Sequence, residues 1–113
     1  VFVVPESQQA AVGAVSGSGP AYLFFLAECL QQGAQELGLD ADLADQLIRA
    51  TLRGSAQLLA QSELTAADLR RQVTSPGGTT AAAMEVLASQ EVDQTIGAAL
   101  AAGVTRAIEL GKS

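Results

Sequence analysis

The sequence predicts an all-α domain of about six helices, and three observations lead there. Alanine is very frequent while aromatic residues make up only 4% of the chain. Alanine is the best helix former, and Ala-rich helices lie close together. Breakers fall in two clusters, Ser16-Gly17-Ser18-Gly19-Pro20 and Thr74-Ser75-Pro76-Gly77-Gly78, with long helix-compatible stretches outside them. Only residues 1–4, Val-Phe-Val-Val, read as a strand, and no second strand is at hand to pair with them. The length, 113 residues, fits one domain. A hydrophobic content of 49% excludes a disordered tail.

Taken in order, Val1-Phe2-Val3-Val4-Pro5 has no basic stretch and no long apolar run, so it does not read as a signal peptide. It reads as the end of a β-strand that begins elsewhere, and the chain as a domain cut from a longer one. A first short helix is expected over residues 6–15, stopping at the Ser-Gly-Ser-Gly-Pro cluster. Pro20 suits the first turn of a second helix, where its missing N–H is not needed. That helix runs over 20–37 and ends at Gly38, a natural residue just past a helix end. Its first half, Ala21-Tyr22-Leu23-Phe24-Phe25-Leu26-Ala27, is apolar nearly all round. Such a helix is buried on every side, and a chain this short has little material to surround it. An oligomer is therefore expected.

A third helix covers 42–61, with Asp40 and Asp42 at its start, where acids suit the helix dipole. Leu43, Leu47, Ile48, Leu52, Leu58 and Leu59 follow its 3.6-residue period. A short fourth helix starts at Thr65, whose spacing to Asp68 resembles a capping box with Asp in place of Glu. A fifth covers 80–88 and a sixth 92–110. Along the sixth, Gly97, Ala101, Ala102 and Thr105 form a small-residue face that lets two backbones approach. No internal repeat or low-complexity linker interrupts the pattern.

Composition narrows the function. Twelve acids against six bases give a net charge of −6, which argues against nucleic acid and against an anionic membrane as partners. Unbroken apolar runs reach about five residues, short of the roughly 18 a membrane span needs. Histidine is absent, and with it the commonest general base and any Ser-His-Asp or Cys-His pair. The single cysteine, Cys29, excludes an intrachain disulfide and a Cys-cluster metal site. It fits a reducing compartment and reads as a buried, inert thiol. No carboxylates have metal-ligand spacing.

Two loops have chemistry to offer. Residues 74–80 carry two glycines, hydroxyls at Ser75, Thr79 and Thr80, and lead into a helix N-terminus. Unpaired N–H groups and the dipole favour a carboxylate or a single phosphate there; an ordinary capped helix connection is the alternative. It is not a Walker loop, since no Lys follows the glycines. Ser16-Gly17-Ser18-Gly19-Pro20 is either a second backbone site or a tight turn between close helices. As a dinucleotide fingerprint it lacks the third glycine and the preceding strand. Tyr22 reads as a core or interface aromatic, or else as a hydrogen-bond donor. Glu63 reads as a surface acid in a turn, and Arg70-Arg71 as a solvated pair near a helix end.

At these loops the sequence resembles a known family. Ser16-Gly17-Ser18-Gly19-Pro20-Ala21-Tyr22 and Val73-Thr74-Ser75-Pro76-Gly77-Gly78-Thr79-Thr80 resemble the C-terminal domain of pyrroline-5-carboxylate reductases. The intervening Gly38-Leu39, the long helix ending near Ser62-Glu63 and the tail from Arg106 to Gly111 are similar too. The likeness covers nearly the whole chain, and two motifs in the right order make it specific.

The resemblance implies an intertwined helical dimerisation domain, similar to the C-terminal domain of 6-phosphogluconate dehydrogenase. Residues 1–5 would then end a Rossmann domain and 6–113 form the helical dimerisation and substrate-binding domain. It implies reduction of 1-pyrroline-5-carboxylate to L-proline with NADPH or NADH, the cofactor being held by the other domain, so the isolated chain is expected to be inactive. It implies a homodimer, possible further assembly into a ring of dimers, and a cytoplasmic enzyme. Carried over, the substrate carboxylate falls to Ser75, Gly77, Gly78 and Thr79, largely through backbone N–H groups. Thr80 is implied as the catalytic hydroxyl near the ring nitrogen, Val73 as pocket wall, and Glu63 as an acid near the site. Other readings are the helical domain of another imine or β-hydroxyacid reductase, and a non-catalytic helical interaction module.

Overall fold

Where the breakers stand, the helices end. The computed structural model describes residues 3–111, and no strand occurs among them. A 3-10 turn, Glu6–Gln8, leads into helix α1, Gln9–Val12, and a π-helical turn, Gly13–Gly17. Then follow α2 (Gly19–Glu36), α3 (Ala41–Gln61), α4 (Ala66–Gln72), α5 (Thr79–Ser89) and α6 (Val92–Gly111). The five later helices are present with ends displaced by no more than one residue, whereas the first, expected over 6–15, is broken into three short turns of different pitch. Of the expected strand end at 1–4, Val1 and Phe2 lie outside the described residues, and Val3 and Val4 belong to no regular element.

Local chemistry sets the ends. Gly38 takes φ +101°, and the amides of Gly38 and Leu39 donate to the carbonyls of Gln35 and Ala34. This is the Schellman arrangement that a C′ glycine permits. Asp40 caps α3, its carboxylate accepting from the Leu43 amide at 2.9 Å. Thr65 caps α4 through Oγ1, which accepts from the Asp68 amide at 3.1 Å. The expected capping box is only half made: the Asp68 carboxylate turns to Arg71 at 2.9 Å, Asp being one methylene shorter than the Glu that reaches back.

The first helix departs most from expectation. Over residues 6–17 the chain changes pitch twice instead of forming one regular helix. The Ser18 amide donates to the Gly13 carbonyl, five residues back, at 3.0 Å. That takes away the ordinary partner of the Ala14 carbonyl, and the Tyr22 hydroxyl supplies another at 2.7 Å. Tyr22 is thus a hydrogen-bond donor as well as an aromatic wall.

The chain divides into two compact units, Val1–Leu23 with Leu87–Ser113, and Phe24–Val86. In the first, α6 runs against α1 and the π turn. At Gly103 the two come into contact: a Cβ there would stand 3.5 Å from the Ala14 Cβ and 3.9 Å from the Tyr22 hydroxyl. Gly97, in the small-residue face expected to carry such a contact, has nothing within 4 Å of a built Cβ. The rotation of α6 that seats it on α1 selects Gly103, and the sequence alone does not set that rotation.

In the second unit α2 and α3 are joined at Asp45. One carboxylate oxygen accepts from Gln31 Nε2 at 2.9 Å, the other from Arg49 Nε at 2.8 Å. Beside this joint an apolar groove is lined by Cys29, Leu30, Ala34, Leu37, Leu47 and Ile48 among others. Cys29 is exposed in the single chain, contrary to the buried thiol expected, because none of the described residues covers the groove.

That shortage of cover is general. Among the described residues only Ala14, Ala44 and Ile48 are buried hydrophobics. Helix α2 buries none of its residues; Phe24 and Phe25 are 68% and 66% exposed. The expectation that α2 is enclosed fails within one chain, and the enclosing atoms must come from outside it. Within the helical stretch Glu6–Glu36 an 18-residue window reaches a mean hydropathy of 1.4, enough by length and composition to cross a membrane, where the short apolar runs had argued otherwise.

Candidate functional site

The loop between α4 and α5 is built from three local devices. First, Arg70 and Arg71 occupy the last turn of α4, and its final carbonyls are taken up. The Val73 and Thr74 amides donate to the carbonyls of Arg70 and Arg71; Thr74 Oγ1 also donates to Arg70. Second, Ser75-Pro76-Gly77-Gly78 closes a β-turn, the Gly78 amide donating to the Ser75 carbonyl at 3.0 Å. Pro76 fixes φ at the second position and Gly77 takes φ +72° at the third, the pattern of a type II turn. A Cβ on Gly78 would meet the Ser75 carbonyl oxygen at 3.2 Å, which would force the turn to give way.

Third, the turn delivers the chain into α5. The Gly78 carbonyl accepts from the Ala82 amide at 3.1 Å, so Gly78 is the residue that starts the helix. A helix start leaves four N–H groups without helical partners. Here the Gly78 N–H is committed to Ser75. The amides of Thr79, Thr80 and Ala81 have no partner within the described chain, and neither do the hydroxyls of Ser75, Thr79 and Thr80. Three amides at the positive end of an eleven-residue helix, with hydroxyl-bearing residues on and beside it, can donate to a small anion. Ser75, Gly77, Thr79 and Thr80 are exposed, Gly78 and Ala81 half-buried.

The structure therefore brings Ser75, Gly77, Gly78, Thr79 and Thr80 together, as their adjacency in sequence requires. Gly78 acts through its missing side chain and its place in the turn, its N–H being already used. Ala81 was missed, although the rule that three residues after a helix start keep free amides could have found it. Val73 caps the end of α4 and is 66% exposed, an apolar wall with one side open. Glu63 stands in the turn after α3, exposed, with no hydrogen bond or ion pair to the loop. The Ser16–Pro20 cluster is accounted for locally: Ser16 Oγ donates to the Val12 carbonyl at 2.9 Å, and the cluster joins the π turn to α2. No cluster of metal-ligating side chains occurs among the described residues.

Residues 6–110 match the family model for pyrroline-5-carboxylate reductase dimerisation. The pyrroline-5-carboxylate reductase of Pseudomonas aeruginosa is 42% identical over 107 residues, which are 95% of this chain and 39% of that protein. That of Mycobacterium leprae is 41% identical over 127 residues, covering 97% of this chain and 43% of that protein. Among solved structures, a pyrroline-5-carboxylate reductase from Coxiella burnetii matches with a TM-score of 0.92 at 43% identity, over 97% of this chain and 41% of that one. A pyrroline carboxylate reductase from Plasmodium falciparum, with NADP bound, matches with a TM-score of 0.87 at 28% identity, over 91% and 39%. The chain spans about two-fifths of the length of the curated relatives it matches.

Proposed function

This chain belongs to the pyrroline-5-carboxylate reductase family as its dimerisation domain, and on that premise we propose that it is the dimerising and substrate-binding part of an enzyme that reduces 1-pyrroline-5-carboxylate to L-proline. In that enzyme residues 1–5 end a nucleotide-binding domain, and 6–113 form the helical domain. The nicotinamide cofactor, NADPH or NADH, belongs to the other domain. The described residues hold no strand and no Gly-x-Gly-x-x-Gly turn of the dinucleotide-binding kind. The enzyme is a homodimer, or a ring of such dimers, in the cytoplasm.

The observation that supports this reading most is the Ser75–Gly78 turn, which opens α5 with three unpartnered amides. A carboxylate seated there accepts from the amides of Thr79, Thr80 and Ala81 and from the Ser75 and Thr79 hydroxyls. Gly77 and Gly78 keep side chains out of its way. Val73 then lies against the apolar carbons of the ring, and Glu63 flanks the pocket. Thr80 has the remaining hydroxyl, on the turn of helix beside the carboxylate. Reducing an imine leaves a proton on nitrogen, and Thr80 Oγ1, or a water it holds, supplies the hydrogen bond that directs it.

The test is Thr80→Ala in the full-length reductase carrying this domain. Proton-directing groups contribute on the order of 10²–10⁴ in rate, so kcat should drop at least a hundredfold, with KM for the carboxylate substrate changing far less. An unchanged kcat would remove Thr80 from the reaction.

A further inference from the structure

We infer that Thr74 is the positioning residue of the substrate loop: without touching substrate, its hydroxyl holds the amides that open α5 at a fixed place relative to Val73. The inference rests on the reductase reading above and gives a task to a residue which that reading leaves without one.

The hydroxyl itself carries the first argument. Thr74, Ser75, Thr79 and Thr80 all bear one in this loop. Those of Ser75, Thr79 and Thr80 have no partner among the described residues, whereas Thr74 Oγ1 donates to the Arg70 carbonyl at 2.5 Å. A hydroxyl has a single proton to give, so Thr74 has none left for a ligand. Thr74 is half-buried, while Ser75, Pro76 and Gly77 after it are exposed. A donor committed to the backbone acts through the backbone it holds.

Connectivity carries the second. Helix α4 is seven residues long, too short to keep its own end in place. The loop takes up its last carbonyls: the Val73 amide donates to Arg70 at 3.2 Å and the Thr74 amide to Arg71 at 3.1 Å. Thr74 thus grips α4 with two donors. The next residue, Ser75, accepts from the Gly78 amide at 3.0 Å, and the Gly78 carbonyl accepts from the Ala82 amide at 3.1 Å. The path of hydrogen bonds from the end of α4 into the first turn of α5 runs through Thr74.

The two ends of that path are the two halves of the proposed site. Val73, the apolar wall, caps α4. The unpartnered amides of Thr79, Thr80 and Ala81 open α5. With the hydroxyl bond made, the backbone of Thr74 is pinned and the Ser75–Gly78 turn leaves α4 in one direction. With it removed, Thr74 keeps one bond to α4 and the turn can swing. A ligand that spans wall and amides then meets two halves out of register. It loses binding in ground state and transition state alike, which raises KM and spares kcat.

The test compares two variants of the full-length reductase carrying this domain. Thr74→Val keeps the branched shape and removes the donor; Thr74→Ser keeps the donor. For loss of one such bond, KM for 1-pyrroline-5-carboxylate should rise about five- to tenfold in Thr74→Val, with kcat within about twofold of wild type. KM for the nicotinamide cofactor should not change, and Thr74→Ser should restore the substrate KM. This split is the reverse of that expected for Thr80→Ala. Hydrogen exchange on the same proteins reads the loop directly: peptides covering 75–82 should exchange about five- to tenfold faster in Thr74→Val only. A merely structural cap would lower the melting midpoint of Thr74→Val and leave the substrate KM where it was, which would overturn the inference. So would a fall in kcat alone, unchanged exchange, or equal losses in Thr74→Ser. If the wild-type enzyme does not reduce 1-pyrroline-5-carboxylate, the reductase reading falls, and the exchange rates still decide whether Thr74 holds the loop.

Discussion

At the scale of single residues, three positions hold backbone conformations that the rest depends on. Tyr22 gives the Ala14 carbonyl the partner that the π turn takes away. Tyr22→Phe keeps the ring and removes only that bond, leaving a carbonyl without a partner beside a buried residue. It should lower stability by about 1–3 kcal/mol, read as a shift in urea midpoint at fixed protein concentration. No shift would mean that water satisfies Ala14. Gly77 sits at φ +72°, where a Cβ costs roughly 1–2 kcal/mol. Gly77→Ala should therefore destabilise by about that amount and, by opening the turn, weaken carboxylate binding as well. Asp40→Ala removes one cap and should lower stability by about 1 kcal/mol with no effect on the loop. These residues differ in how plainly the sequence shows them. Gly77 and Asp40 announce themselves, because a turn and a cap are decided within four residues. Tyr22 does not: its bond exists only because the helix widens eight residues earlier.

At the scale of elements, the helices are legible because breakers and caps are local, while the contacts between helices are not. Gly38, Thr65 and the Ser75–Gly78 turn end or start helices within a residue or two of where the sequence puts them. The face that α6 presents depends on α1 and the π turn, some ninety residues away in sequence, and so Gly103 rather than Gly97 meets Ala14. That assignment can be checked by size. A Cβ at 103 falls at ordinary contact distance from Ala14, so Gly103→Ala should leave the melting midpoint equal or higher, helped by about 1 kcal/mol of helix propensity. Gly103→Leu has no room and should lower stability by about 1–3 kcal/mol. Equal behaviour of the two variants would show that α6 does not seat on the π turn at this residue.

At the scale of the whole molecule, the need for a partner is written in Ala21 to Ala27, a helix half with no polar side to turn to water. The resemblance already implied a second copy as that partner, and the unburied α2 and the match to a dimerisation domain support oligomerisation. The candidate anion site is legible for the opposite reason: turn, glycines and helix start are contiguous, so their adjacency needs no tertiary structure. Which amides remain free is not legible, since it depends on the Gly78–Ser75 bond that the fold makes.

We propose that this contiguous loop holds the carboxylate of a pyrroline-type ligand. Its most direct test is an NMR titration of L-proline into the isotope-labelled chain, following the backbone amides. Saturable shifts are expected at Gly77, Thr79, Thr80 and Ala81, with a smaller change at Gly78, whose N–H is held by Ser75. Absence of any response in that loop at high proline concentration, or a largest response elsewhere in the chain, would contradict it.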